Sequence, residues 1–130
     1  MSYTDLMPEE TVGLKLRRRD GRASWHEVPA DETAVAGLVI TAFYELGPRD
    51  QLLPRPGCFA LAHVPTGRFV PLSGEITNPR LLQFMARLIA GLGWDDWSQW
   101  SCPAQVPAEI PEVVALAQRE AAIAENRGQL

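Results

Sequence analysis

Apolar and polar positions change period several times along this chain, and each change marks an element. Val12, Leu14 and Leu16 alternate with Lys15, Arg17 and Arg19, the two-residue period of a half-buried strand. Asp20-Gly21 is a strong hairpin turn, so residues 22–28 return as the partner strand and carry Trp25 and His26. Pro29-Ala30-Asp31-Glu32 then puts proline and acids where the first turn of a helix accepts them. Val35, Leu38, Val39, Ala42, Phe43 and Leu46 follow as an apolar face, and Gly47-Pro48 closes the segment. The spacing predicts a helix between Pro29 and Gly47. The competing reading, a strand over residues 35–43, rests on the β-branched residues there. Residues 49–57, with Pro54 and Pro56, read as a loop.

The stretch from Cys58 to Trp97 carries the clearest pattern. In Val64-Pro65-Thr66-Gly67-Arg68, Pro65 presets the first corner of a turn and Gly67 can take a left-handed conformation, between flanks rich in apolar, aromatic and β-branched residues. Asn78 suits an N-cap and Pro79 the first helical position. Leu81, Leu82, Met85, Leu88, Ile89 and Leu92 then share one helical face, and Gly93 supplies the stop. After Trp94-Asp95-Asp96-Trp97-Ser98-Gln99-Trp100, residues 94–110 read as a Trp- and Pro-rich linker. Residues 111–126 read as a C-terminal helix with Val113, Leu116, Ala117 and Ile123 as its apolar stripe.

This order predicts an α+β fold in one domain over residues 1–130, in which a strand–strand–helix unit occurs twice, at 12–47 and 58–93. Laying Gly21 on Gly67 also aligns Arg22 with Arg68, Leu46 with Leu92 and Gly47 with Gly93, a possible internal pseudo-repeat set against chance similarity of two local motifs. The expected architecture is a four-stranded antiparallel sheet with two helices on one face, plus the C-terminal helix. Phe59 and Leu61 point one way, Ala60, Ala62 and Val64 the other, so this strand requires cover on both faces. The C-terminal segment or a second subunit, in a homodimer, would supply it.

Composition narrows the function. A length of 130 residues suffices for a real core, and 46% hydrophobic residues argue against wholesale disorder. No apolar run reaches a membrane span, and the polar, acidic start does not resemble a secretory signal, so the expected location is cytoplasmic with no membrane partner. Cys58 and Cys102 are read there as buried or free thiols rather than a disulfide. A net charge of −4 weighs mildly against generic binding to nucleic acid.

Three groups of residues are candidate sites. Trp94, Asp95, Asp96, Trp97 and Trp100 would form an exposed aromatic anchor with an acidic rim, unless the tryptophans fold back over the core. Lys15, Arg17, Arg18, Arg19 and Arg22 concentrate positive charge on one hairpin and could meet phosphates, unless they form the solvated face of an edge strand. Trp25 is the one aromatic among them. Cys58, His63, Glu75 and His26 contain the ingredients of a nucleophile. However, Cys58 and His63 fall on opposite sides of one strand, zinc-ligand spacing is missing, and no phosphate loop, GxSxG or HExxH occurs. No catalytic residue, metal or cofactor is expected.

The run Ala62-His63-Val64-Pro65-Thr66-Gly67, followed by a helix ending near Trp94–Trp97, resembles a small hairpin–helix module of uncharacterised phage and plasmid reading frames. The resemblance covers residues 58–97 and implies a mobile-element setting, with a host-directed inhibitor, of the anti-CRISPR kind, as one role. It assigns no activity, and residues 72–77 form a longer, less basic connection than that module carries. The expectation is a non-enzymatic protein-binding module acting on a host protein or protein complex. The alternative is a nucleic-acid-binding regulator using hairpin residues 15–22.

Overall fold

The computed structural model describes residues 10–130; the polar lead-in expected at the start lies, up to residue 9, outside them. The chain is α+β and has three layers. β1 (Thr11–Arg17) and β2 (Ala23–Pro29) form a two-stranded antiparallel hairpin. Its turn is closed by Gly21 at φ +84°, and the Asp20 carboxylate accepts from the Arg22 N–H at 2.9 Å, as Asp-Gly turn chemistry requires. β3 (Asp31–Glu32), β4 (Leu38–Leu46), β5 (Leu52–His63) and β6 (Arg68–Phe69) form a separate antiparallel sheet in that order. α1 (Pro79–Gly91) and α2 (Ile110–Asn126) are the helices, with a 3₁₀ turn at Pro103–Gln105 between them.

The segment expected to be the first helix is strand β4, paired with β5 from Leu38↔His63 to Ala42↔Phe59 and again from Tyr44↔Pro54 to Leu46↔Leu52. Almost every residue between Leu38 and Phe43 is apolar, so the run satisfies a helical and a strand period equally, and the β-branched Val39, Ile40 and Thr41 tip it to strand. The apparent end signals belong to turns. Gly47-Pro48 opens the β4–β5 turn, where the Gly47 N–H donates to Gln51 O at 2.8 Å, and Pro29 ends β2. There is therefore no first strand–strand–helix unit over 12–47. Its Asp31-Glu32 pair is edge strand β3, and the expected loop from 52 onward is the first half of β5. Over Leu52–Gly57 the side of β5 away from β4 has no paired strand, the position where Pro54 and Pro56 do least harm.

β5 is buried on both faces, as its sequence requires. Leu61 packs with Leu38, Ile40 and Val35 against Leu82, Met85 and Ile89 of α1 and Val114, Ala117 and Ala121 of α2. On the opposite face Ala62 packs with Val12, Leu14 and Val28 of the β1–β2 hairpin, with Val39 and Phe69 at the margin. The N-terminal hairpin, rather than the C-terminal segment or a second subunit, is the second cover. This is why six strands divide into sheets of two and four instead of one sheet of four.

α1 follows the reading except at its end, where Leu88 is half-buried and Leu92, placed on the apolar face, lies past the helix and is exposed. Asn78 caps it by accepting from the Arg80 N–H at 3.0 Å, and Leu81, Leu82, Met85, Ala86 and Ile89 are buried. α2 begins at Ile110, and its buried stripe is Ile110, Val114, Ala117, Ala121 and Ala124; of the expected stripe Ala117 is buried and Val113 half-buried, while Leu116 and Ile123 are exposed. Small residues let α2 lie close to α1, and α2 is pinned near its C-terminal end by Asn78 to Glu125 and at its middle by Ser73 to Gln118.

Ala62 is fully enclosed between hairpin and sheet. Ala62→Leu is expected to overpack that layer and destabilise the fold by about 1–3 kcal/mol in urea unfolding. Size-exclusion chromatography should show no change of association state, since both faces of β5 are already covered within one chain.

Candidate functional site

The three groups singled out from the sequence have different fates. The tryptophan segment is structural at its centre. Trp97 is only 3% exposed and its ring meets His63 at 6.0 Å and Trp100 at 5.8 Å, both edge-on. Its backbone N–H donates to Ala36 O at 2.7 Å and its indole N–H to Trp94 O at 3.0 Å. Gly37, at φ +90°, permits this approach, because a Cβ there would strike the Trp97 carbonyl carbon at 2.7 Å and the Ser98 nitrogen closer still. Trp97 therefore cannot serve as the exposed anchor. Trp94 and Trp100 are half-buried against the same core, and Asp95 and Asp96 are exposed. The Asp96 carboxylate is held below its usual range because it accepts from the Ser98 hydroxyl and from the Ser98 N–H.

His63 is the partner that the sequence did not connect to Trp97. It lies on the face of β5 turned to the helices and is buried. Nε2 lies 2.6 Å from Trp97 O and Nδ1 2.8 Å from Thr66 Oγ1. A carbonyl only accepts, so Nε2 donates to Trp97 O, and Nδ1 is engaged by the Thr66 hydroxyl. The imidazole thus ties the β5–β6 turn to the corner after α1 and has no free nitrogen for proton transfer.

The remaining chemical candidates do not converge. Cys58 is buried on the hairpin side of β5, and Cys102 is an exposed free thiol. His26 Nε2 bonds the Ser24 hydroxyl at 2.8 Å, and Glu75 pairs with Arg55 at 3.0 Å. Among the described residues, no three His, Cys, Asp or Glu side chains gather in a way that would hold a metal ion, and no helix is long and apolar enough to cross a membrane.

The basic hairpin remains a surface. β-alternation and the Lys15↔Trp25 and Arg17↔Ala23 register place Lys15, Arg17 and Trp25 on the outer side of β1–β2. Trp25 is 58% exposed, the most exposed of the large hydrophobic residues among those described. Two glycines make room for its indole: a Cβ on Gly13 would sit 3.1 Å from the ring, and one on Gly67, at φ +68°, would collide with it. Gly67 O also accepts the Lys15 N–H at 2.7 Å, which fastens the outer edge of β1 to the β5–β6 turn. Lys15 Nζ stands 5.9 Å from the centre of the Trp25 ring. Lys15, Arg17 and Arg68 line a hollow of about 230 Å³ that no acid enters. At the hairpin tip the charge is partly spent: Arg18 contacts Asp20 at 3.8 Å and Asp50 at 3.7 Å, and the Arg19 guanidinium donates to Pro48 O at 2.7 Å. Arg22 is exposed. The positive surface is therefore the Lys15–Arg17 part of the side bearing Trp25; the exposed Glu27, paired with Gly13, stands on the same side beyond the indole.

A second hollow, of about 440 Å³, has acid at its mouth, with Glu10, Asp31 and Glu32 near Tyr44 and Phe59. The charge of Glu32, with smaller effects from partial burial, a hydrogen bond to Glu32 and Asp31, raises the Glu10 carboxyl above its usual value.

No family model, curated protein or solved structure matches this chain.

His63→Ala leaves the Trp97 carbonyl and Thr66 without their partner and is expected to cost about 2–3 kcal/mol in chemical denaturation, with Trp97 fluorescence shifting toward that of a more solvated indole. At the acidic hollow, a carboxyl raised in the folded state is a destabilising charge above its titration and is relieved as the pH falls through the carboxylate range. Glu32→Gln should therefore raise the melting temperature at about pH 7, and the gain should vanish at about pH 3.

Proposed function

We propose that this chain is a non-enzymatic binding module, and that its binding surface is the outer side of the β1–β2 hairpin, taking single-stranded nucleic acid. The observation that carries this reading is the exposed Trp25 ring, seated by its six-membered edge over Gly13 and Gly67, with Lys15 beside it and Arg17 next along the strand. An exposed indole on a rigid strand is a stacking platform for a base, and neighbouring cations track the phosphates. The net charge of −4 does not oppose this, because charges more than about 10 Å away are screened at ordinary ionic strength and the local field is set by the hairpin. His63, with both ring nitrogens engaged, supports a binding rather than a catalytic role.

A protein partner is the second reading, narrowed by the burial of Trp97 to the half-buried Trp94 and Trp100, 6.2 Å apart, and the exposed Asp95 and Asp96. The mobile-element setting suggested by residues 58–97 would make that partner a host protein complex in the cytoplasm.

Fluorescence anisotropy with a labelled oligothymidylate distinguishes the two. Binding should weaken linearly on a log–log plot against salt. Lys15→Gln with Arg17→Gln should lower that slope by roughly 1.4, about 0.7 for each phosphate no longer neutralised. Trp25→Ala should weaken binding by roughly 5- to 150-fold, the loss of one stacked base at about 1–3 kcal/mol. No binding at low salt, or full binding by Trp25→Ala, would remove the hairpin reading. Trp94→Ala with Asp95→Ala should leave oligonucleotide binding unchanged and would abolish capture of a protein partner.

A further inference from the structure

A further hollow adjoins Arg68 on the side of the helices. The end of the β5–β6 hairpin, the Trp97 corner, the 3₁₀ turn and the start of α2 enclose a hollow of about 440 Å³. That volume falls within the range of small-molecule sites, roughly 300–1,000 Å³. Its walls are apolar, formed by Phe69, Val70, Trp97, Val106, Ile110 and Val114. Pro71, Pro103 and Pro111 also line it, and their fixed φ angles give walls that need little ordering when a ligand enters.

Its polar inventory selects the ligand. His63 and Thr66 line the hollow, but their side chains are already bonded to one another and to Trp97 O, so they present no unmet donor. The one charged residue in the lining is Arg68, which is exposed and has no acid within ion-pair distance among the described residues. Glu109 and Glu112 stand at the beginning of α2 but do not line the hollow. An apolar chamber holds water poorly and apolar matter well, and a guanidinium fork matches a carboxylate.

We infer that this hollow binds a small amphipathic monoanion, a medium-chain or aromatic carboxylate, with the apolar body against Trp97 and Val114 and the carboxylate on Arg68. This site is independent of the hairpin surface. With the hollow beside Lys15 and Arg17 it shares Arg68 and Phe69, the two residues of β6.

Octanoate, below its micellar concentration, and uncharged octanol are the probes, titrated into the ¹⁵N-labelled full chain and followed by amide and indole shifts. Octanoate should saturate one site, with a Kd in the high-micromolar to millimolar range and shifts confined to residues around His63, Val70, Trp97 and Val114. Octanol should bind at least tenfold more weakly, and Arg68→Gln should reduce octanoate to the octanol level. Val114→Trp should fill the chamber and remove both; if it does not fold, Val106→Trp fills it from the half-buried side. Unsaturable or scattered shifts, or undiminished octanoate binding in a folded chamber-filling variant, overturn the site. Equal affinity for octanol and octanoate overturns its selectivity for an anion.

Discussion

The two-sided burial of β5 is the constraint on which the rest of this structure depends. A strand that is apolar on alternate residues needs one cover, whereas a strand with Leu61 on one side and Cys58, Ala60 and Ala62 on the other needs two. The helices supply one cover and the N-terminal hairpin the other. Hairpin and sheet stay separate because a hairpin added at the sheet edge would leave Ala60 and Ala62 facing water. The small side chains on that face are part of the same solution, since alanines let a second sheet lie close while Val12, Leu14 and Val28 fill the space between.

Three layers need fastening where the chain changes layer, and His63 sits at one such place. It is at the end of β5, where the strand turns toward β6, and its ring reaches the corner through which the chain leaves α1. A buried carbonyl left unpaired costs free energy comparable to a lost hydrogen bond. Trp97 O is satisfied by the imidazole and Trp97 N–H by Ala36 O, so the segment between the helices is held by its backbone as well as by its indole. A tryptophan fixed in this way is part of the core, whatever its sequence neighbours suggest.

The local chemistry of the chain was legible and its long-range partners were not. Asp20-Gly21, Val64-Pro65-Thr66-Gly67 and Asn78-Pro79 each fix a turn or cap through their own side chains and φ preferences, and all three stand where the sequence put them. The Leu38–Leu46 strand reads as a helix from sequence because, over Leu38–Phe43, Thr41 is the single polar residue and does not reveal the period. Its flanking Pro and Gly-Pro signals are shared by helix ends and hairpin turns. The stripe on α2 was misplaced because hydrophobicity favours Leu116 and Ile123 over alanine, while close helix packing favours alanine. Nothing local to Trp97 or Trp25 says which is buried. Trp97 is enclosed by His63 and Ala36, remote in sequence, and Trp25 is left outside because its neighbours on the inner side of β2, Val28 and His26, take the burial.

The same constraint decides where function can reside. Once both faces of β5 are covered within the chain, the helices and the hairpin present only their outer surfaces, and the interior has no unsatisfied group to offer. The buried side-chain nitrogens and oxygens among the described residues all have partners. What remains is set by the seams between layers. At the seam where the β5–β6 turn meets the hairpin, Gly67 brings two backbones together closely enough to seat an exposed indole beside cations. On the other side of that turn, the proline-rich approach to α2 leaves a chamber that the small side chains of the helix do not fill. Arg68 and Phe69 belong to both because β6, only two residues long, lies between them. Two hollows at adjacent seams are therefore a consequence of how a short hairpin closes a three-layer fold.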